Sequence, residues 1–231
     1  MRRRAAGAVV LAGLVLAGCT STITGTASPA DPTSGPAPTA TTSAGPCTYT
    51  EDPRGSAGDV VPDAPSGPPP TGTVRETVAT GAGDIGLELR TSGPGTCATA
   101  SFVSLAAQGY FDDTPCHRLT TSPGLQVLQC GDPSGTGAGG PGYTFPTDVD
   151  GTETYGRGVL AMANSGQGFD GSQFFLVYGD SQLTPDYTVF GTVDEAGLGV
   201  VDQIAAAGVA DGSQDGAPAV PVTITAVTPT T

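Results

Sequence analysis

From about Thr73 to Thr231, the apolar residues of this chain occur in short runs separated by glycine, proline and aspartate. Strand-length apolar runs bounded by turn-forming residues are typical of antiparallel β structure, because sharp chain reversals need residues that tolerate unusual backbone angles. The predicted strands are Val74–Ala79, Ile85–Leu89, Cys116–Thr120, Gln126–Cys130, Val159–Ala163, Phe174–Tyr178, Val189–Val193 and Val220–Val227. The pattern favours a single mainly-β domain that is long enough to bury a core.

Two segments of this region have helical rather than strand-like spacing. Residues 98–108 repeat apolar side chains at intervals of three and four and are followed by Gly109; residues 198–207 do the same and are followed by Gly208. Glycine commonly ends helices. Many short strands with two helices predict a closed or nearly closed antiparallel barrel that is capped by two α-helices.

The first residues of the chain have the features of an export signal. Three arginines precede an apolar stretch from Ala5 to Ala17, which is too short to span a bilayer comfortably. It ends Leu16-Ala17-Gly18-Cys19, which resembles the lipobox of bacterial lipoproteins. This resemblance implies that residues 1–18 are removed and that the thiol of Cys19 carries a diacylglycerol; the alternative is an ordinary signal with an incidental cysteine. We therefore expect a protein anchored to the cell membrane on its extracytoplasmic face.

The segment from residue 19 to residue 72 is dominated by threonine, serine, proline, glycine and alanine, including three consecutive prolines at 68–70. Such a composition cannot bury enough apolar surface to offset the entropy of ordering it. We predict a disordered, lipid-anchored stalk that holds the domain of residues 73–231 off the membrane. Cys47 interrupts this composition and is a candidate for a disulfide to the folded domain.

Four cysteines remain beyond Cys19, namely Cys47, Cys97, Cys116 and Cys130. An even number in an oxidising compartment favours two disulfides, for which three pairings are possible; buried free thiols are the alternative.

The charge of the chain excludes several classes of function. All eight basic residues are arginine, three of them in the leader, and they face 22 acidic residues, so the formal net charge is −14. This charge repels phosphate backbones and makes nucleic acid an unsuitable partner. The absence of lysine excludes a P-loop, a lysine Schiff base and a Ser-Lys nucleophile.

His117 is the only histidine, so a metal site built from several imidazoles is excluded. Cys116 precedes it, but neighbours on a strand point to opposite faces, and a Cys-His pair is not expected. A hydrolase that uses Ser172 or Cys116 therefore lacks a placed base. The GxGxxG sequences at 81–86 and 135–140 do not open helices and do not predict a dinucleotide site. We expect no metal and no other cofactor.

Four longer stretches carry a more specific signal. They are HRL (117–119), LQCGDPSGTGAGGPGYTF (128–145), GVLAMANSGQGFDGSQFFLVYG (158–179) and YTVFGTV (187–193). In this order they resemble the successive signatures of the cyclophilin family of peptidyl-prolyl isomerases, and the likeness covers essentially all of residues 73–231. The resemblance implies an eight-stranded antiparallel barrel with two capping helices. It also implies proline-containing polypeptides as substrates, here exported ones, and we expect a monomer.

The resemblance also implies roles for individual residues. Arg118 takes the place of the catalytic arginine, Gln129 that of the active-site glutamine, and Phe175 that of the phenylalanine on the floor of the proline pocket. The substrate-binding positions that it implies are Leu125, Val127, Ala163, Asn164, Ser165, Gln173, Leu183 and Tyr187. Non-covalent stabilisation of the twisted X-Pro bond by these residues would assist the folding of exported proteins.

The chain departs from the family pattern at several positions. It is slightly longer around residues 121–126, so either Leu125 or Gln126 replaces the pocket phenylalanine. Gln182 falls near a position where many cyclophilins have tryptophan, and Tyr187 stands at a common histidine position. We expect these changes to weaken cyclosporin binding more than proline isomerisation. They also leave open an alternative function, a catalytically weak chaperone module that binds peptides.

Overall fold

The computed structural model describes residues 40–230, which contain thirteen strands and two α-helices. The strands are β1 (Thr41–Ala44), β2 (Cys47–Ser56), β3 (Val74–Thr80), β4 (Gly83–Leu89), β5 (Thr114–Pro115), β6 (Arg118–Thr120), β7 (Gln126–Cys130), β8 (Pro141–Pro146), β9 (Val159–Asn164), β10 (Phe169–Gly179), β11 (Val189–Val193), β12 (Asp215–Gly216) and β13 (Thr223–Pro229). The helices are α1 (Thr96–Ala107) and α2 (Glu195–Ala207). All the pairings between these strands are antiparallel.

The strands close into a barrel. Starting from β10, the neighbours are β9, β11, β4, β3 and β13; β13 pairs with β5, and β6 pairs with β7, which returns to β10. The strands β5 and β6 follow each other along one stretch of chain, residues 114–120, so the ring has eight members. The predicted eight-stranded antiparallel barrel with two helices is confirmed.

Alternation of side chains along the strands divides the apolar residues into two groups. On β10, Phe174 and Leu176 point into the main core, whereas Phe175 and Val177 belong to a second apolar cluster on the other face of the sheet. The strand is buried on both faces and therefore has the continuous apolar sequence that a half-exposed strand lacks. This second cluster positions the candidate active site.

Both helices lie close to the positions that the sequence predicts. The ring of Phe102 on α1 packs against Phe174 and Phe190, with centroid distances of 5.3 and 5.6 Å. Helix α2 begins three residues before the predicted start, because the side chain of Asp194 caps it by accepting a hydrogen bond from the Gly197 amide at 2.6 Å.

The predicted stalk is wrong for part of its length. β1 and β2 lie between residues 41 and 56, form a hairpin, and extend the sheet by pairing β2 with β8. The segment folds because Ala44, Cys47 and Tyr49 are buried in the main core. Burial of these few apolar side chains stabilises the hairpin although the composition of the segment is mostly polar. The signal segment, Cys19 and the rest of residues 1–39 lie outside the described residues.

The structure selects one of the three possible disulfide pairings. Cys47 is bonded to Cys97 and joins β2 to α1, and Cys116 is bonded to Cys130 and joins the chain before β6 to the end of β7. Within residues 40–230, no helix combines the length and hydropathy needed to cross a membrane.

Candidate active site

One row of side chains crosses five adjacent strands on the face that carries the second apolar cluster. Arg118 on β6 lies opposite Gln129 on β7, and Gln129 lies opposite Phe175 on β10. The row continues through Ala161 on β9 to Val189 on β11. Residues directly opposite each other on neighbouring strands project from the same face. The barrel therefore places a cation and an amide beside an apolar surface.

The apolar end of this row belongs to a cluster of buried side chains. The cluster consists of Val127, Tyr155, Ala161, Phe175, Val177 and Val189, with Leu125, Val159, Ala163, Leu183 and Tyr187 packed at its margin. Phe175 is only 4% exposed. Leu125 packs at the margin of the cluster, whereas the side chain of Gln126 lies over Gly179.

Two tyrosines pack against Phe175 in this cluster. The ring of Tyr187 meets Phe175 edge to face at a centroid distance of 5.5 Å. Tyr155 fixes this arrangement, because its hydroxyl donates to the Tyr187 carbonyl and accepts from the Tyr187 amide, both at 2.9 Å. Tyr155 was not predicted from the sequence, because it lies outside the predicted strands and has no distinguishing neighbours. It holds Tyr187, the predicted substrate-binding residue, in place.

The guanidinium of Arg118 is held on two sides. Its Nε and Nη2 donate to the two carboxylate oxygens of Asp215 at 2.7 and 2.8 Å, and its Nη1 donates to Oε1 of Gln129 at 3.2 Å. A guanidinium has five N–H groups, so one on Nη1 and one on Nη2 have no partner among residues 40–230. The side chain is 38% exposed, which leaves it accessible to a ligand.

Asp215 was not predicted from the sequence. It lies on the two-residue strand β12, which pairs with β6 and so reaches the side of Arg118 from 97 residues away along the chain. The hydrogen bonds from Arg118 lower the pKa of Asp215 and outweigh the opposing effect of partial burial. An ionised, bidentate carboxylate fixes the plane of the guanidinium as well as its position.

Gln129 is held in turn by Gln173. The Nε2 of Gln129 donates to Oε1 of Gln173 at 2.8 Å, and the Nε2 of Gln173 donates to the carbonyls of Gly137 and Gly139 at 3.0 and 2.9 Å. Both N–H groups of Gln173 are thus used within the protein. The structure therefore places Gln173 as a residue that orients Gln129, whereas the sequence predicted direct contact with substrate.

Asp132 organises the loop that carries these two carbonyls. It is fully buried and accepts from the amides of Ser134, Gly137 and Gly139 at 2.7 to 3.0 Å, and from the Ser134 hydroxyl at 2.7 Å. Burial alone would raise the pKa of Asp132, but these hydrogen bonds lower it below its usual value. A Cβ at position 139 would lie 2.1 Å from a carboxylate oxygen of Asp132, so only glycine fits there.

The segment Ala163, Asn164, Ser165 lies at the end of β9, as the resemblance implied. The side-chain amide of Asn164 donates to the Asp186 carbonyl at 2.9 Å, and its oxygen accepts from the Gly166 amide at 2.9 Å. These contacts hold the local backbone and leave the exposed Ser165 at the rim.

His117 follows the disulfide-bonded Cys116 and precedes Arg118, but it is not part of the row. Both ring nitrogens are buried, and neither has a hydrogen-bond partner among residues 40–230. Burial lowers the pKa of His117, although the negative charge of Asp132 opposes this effect. The imidazole is therefore neutral at neutral pH. Among residues 40–230, no group of three histidine, cysteine or acidic side chains is arranged to hold a metal.

A cleft of about 510 Å³ continues from Gln129 along the sheet. Its walls include Ala163, Asn164 and Gln173, which belong to the predicted binding segment. The cleft shares Gln129 with the row and Ala163 with the margin of the apolar cluster, so the three features adjoin one another.

The sequence is similar to those of mycobacterial proteins named "Probable peptidyl-prolyl cis-trans isomerase B". It is 54% identical to the protein of Mycobacterium tuberculosis over 166 residues, which cover 67% of this chain and 54% of the relative. It is 51% identical to the protein of Mycobacterium leprae over 175 residues, which cover 71% of this chain and 59% of the relative. The chain thus spans a little more than half the length of these curated relatives.

The fold is similar to that of a Cryptosporidium parvum cyclophilin type peptidyl-prolyl cis-trans isomerase. One crystal structure of that protein has a TM-score of 0.60 and 29% identity, covering 69% of this chain and 99% of the other. A second, in the presence of the dipeptide Ala-Pro, has a TM-score of 0.57 and 30% identity, covering 68% and 99%. Residues 75–229 match the family described as "Cyclophilin type peptidyl-prolyl cis-trans isomerase/CLD". Because this match covers more than half of its length, the chain belongs to the cyclophilin family.

Proposed function

We propose that this protein catalyses cis-trans isomerisation of X-Pro peptide bonds in exported polypeptides. The observation that carries the proposal is the row in which Arg118, Gln129 and Phe175 project side by side from one face of the barrel. An apolar pocket suits the proline ring, and a fixed cation beside it suits the adjoining amide. The structure of the Cryptosporidium parvum relative in the presence of Ala-Pro supports this class of ligand.

The chemistry needs no covalent intermediate. A peptide bond resists rotation by about 18–20 kcal/mol, because its C–N bond has partial double-bond character. In the twisted state this resonance is lost, and the prolyl nitrogen becomes pyramidal and can accept a hydrogen bond. One of the free N–H groups of Arg118 would donate to that nitrogen, which stabilises the twisted state over either planar isomer.

The remaining residues hold the substrate around this contact. Burial of the three ring methylenes of proline against Phe175 and Val127 contributes about 2 kcal/mol. The backbone at Asn164 would bind the neighbouring peptide groups. The Asp215 carboxylate and the Gln129 amide keep the guanidinium oriented, so that little reorganisation is needed when the bond twists.

Exchange NMR spectroscopy on an Ala-Pro peptide tests the proposal. The wild-type protein is expected to accelerate exchange between the cis and trans signals, and Arg118→Ala to reduce kcat/KM on the order of 100-fold, as loss of a transition-state donor does in other enzymes. Arg75→Ala is the matched control, since Arg75 is an exposed arginine on β3 that pairs with Glu88. Peptide binding without faster exchange would instead identify a chaperone module that holds peptides.

We further propose that Cys19 carries a lipid and anchors the protein on the extracytoplasmic face of the membrane. The sequence Leu16-Ala17-Gly18-Cys19 after a charged and apolar leader supports this proposal. Two disulfides within the folded domain fit an oxidising compartment. Fractionation of cells that express wild type or Cys19→Ser tests it: wild type should sediment with membranes and the variant should not. Equal distribution of the two would refute lipidation at this residue.

A further inference from the structure

One wall of the 510 Å³ cleft comes from a part of the chain that the family match does not include. Glu51, Asp52, Pro53 and Arg54 of β2 line the cleft, opposite Asn164 and Gln173. The family match begins at residue 75. The β1–β2 hairpin thus extends the proposed substrate site beyond the matched domain.

The hairpin is firmly attached to the barrel. Thr50 and Glu51 pair with Thr144 and Tyr143 on β8, which extends the sheet. Cys47 is bonded to Cys97 of α1, and the Tyr49 hydroxyl donates to the Cys97 carbonyl at 3.0 Å. A substrate therefore meets a wall that is already ordered, and little entropy is lost in forming it on binding.

The charges on this wall are not balanced. Arg54 is bound to Asp52 through Nε and Nη2, at distances of 2.7 to 3.1 Å, and so is already neutralised. Glu51 is exposed and forms no ion pair within residues 40–230. Glu51 lines the cleft beside the Asp52–Arg54 pair.

The cleft contains one further acidic residue. Asp170 is fully buried in its wall and accepts from the hydroxyls of Thr147 and Thr188, the first of these at 2.9 Å. Burial raises the pKa of this carboxyl. The cleft therefore offers an incoming chain one free exposed carboxylate, that of Glu51, and no free cation among the residues that line it.

We infer that the hairpin forms a subsite for a substrate residue two positions from the proline, and that Glu51 makes it selective for arginine or lysine. The occupant is the substrate chain itself, because the cleft shares Gln129, Asn164 and Gln173 with the proposed isomerase site. This inference rests on the proposed function and specifies the class of substrate.

Kinetics with matched peptides test the subsite. In one series, Xaa-Ala-Pro-Phe, Xaa is lysine, glutamine or glutamate; in a second series, Phe-Ala-Pro-Ala-Xaa, the same residues follow the proline. We expect wild-type kcat/KM to be about five-fold higher for the lysine than for the glutamate peptide in one of the series, the size typical of an exposed ion pair. Glu51→Gln should abolish this preference and Glu51→Lys should reverse it.

The control separates the subsite from the overall negative charge of the protein. Asp84→Asn removes one exposed carboxylate on the β3–β4 hairpin, which does not line the cleft, and should leave the preference unchanged. Equal rates for the three peptides in both series, or a preference that survives Glu51→Gln, would overturn the inference while leaving the isomerase function intact. Failure to isomerise any peptide would instead refute the proposed function.

Discussion

Replacement of Asp132 by asparagine tests how the loop over Gln173 is held. In the wild-type protein one carboxylate oxygen, Oδ1, accepts from the amide and hydroxyl of Ser134, and the other, Oδ2, accepts from the amides of Gly137 and Gly139. Asparagine keeps one oxygen but presents an NH₂ group at the other position. Whichever way the amide is turned, donors face donors at one end of the side chain.

The expected loss of stability follows from these contacts. Each hydrogen bond to a charged acceptor contributes about 1.5–3 kcal/mol, and each bond to a neutral acceptor about 1 kcal/mol. The Ser134 hydroxyl can turn to accept from the NH₂ group, so the favoured orientation loses the bond from the Ser134 amide and leaves the Gly137 and Gly139 amides bonded to a neutral oxygen. We therefore expect a loss of about 3 kcal/mol. For a domain of this size that corresponds to a fall in Tm of roughly 6–12 °C. Ser134→Ala, which removes one bond from an exposed residue but keeps the carboxylate, should lose about 1.5 kcal/mol, the lower end of this range.

Activity should fall together with stability, since the loop supplies both carbonyl acceptors of Gln173. Without them Gln129 is no longer fixed beside Arg118, and two neutral hydrogen bonds at about 1 kcal/mol each correspond to roughly a thirty-fold loss in kcat/KM. Urea unfolding and exchange NMR spectroscopy measure the two effects. A loss of stability with unchanged kcat/KM would show that the loop does not act through Gln173 and Gln129.

The pH dependence gives an independent check of the same contacts. The pKa of Asp132 is lowered in the folded state, so its contribution to stability is complete above the unfolded pKa of about 3.9 and is lost as pH falls through the folded pKa. The stability difference between wild type and Asp132→Asn should therefore shrink in acid. A difference that stays constant down to pH 2 would refute the assigned role of the carboxylate.

Two further predictions concern the neighbours of Arg118. Asp215→Asn should lower kcat/KM about three-fold and change the free energy of unfolding by less than about 1 kcal/mol, because the ion pair is exposed. The NMR resonance of the Arg118 Nε–H group should shift in this variant. An unchanged resonance would contradict a positioning role for Asp215. Burial lowers the pKa of His117 in the folded protein, so kcat/KM should be independent of pH between about pH 6.5 and 8.5. The free energy of unfolding should fall as pH drops below the unfolded pKa of about 6.5, because the unfolded chain binds the proton more readily than the folded one. A rate step near pH 6.5 would show that the imidazole takes part.

The local sequence predicted most of the barrel because strand and helix periodicities are short-range properties. The strands Gln126–Cys130 and Val189–Val193 have the predicted bounds; Gly124 and Gly131 flank the first, and Asp194 follows the second. Helix α2 was also found, although its start depends on the cap at Asp194. The first hairpin was missed because the averaged composition of residues 19–72 hides the few buried residues, such as Tyr49, that hold it.

By itself, the sequence determined the fold class and the row that contains Arg118, Gln129 and Phe175, because the order of motifs specifies which strand carries each side chain. Only the tertiary structure decided that Asp215 orients Arg118, that Gln173 acts through Gln129, and which cysteines pair. The physical reason is distance along the chain: these partners are up to 97 residues apart and meet only when the barrel closes, so no local pattern records their contact.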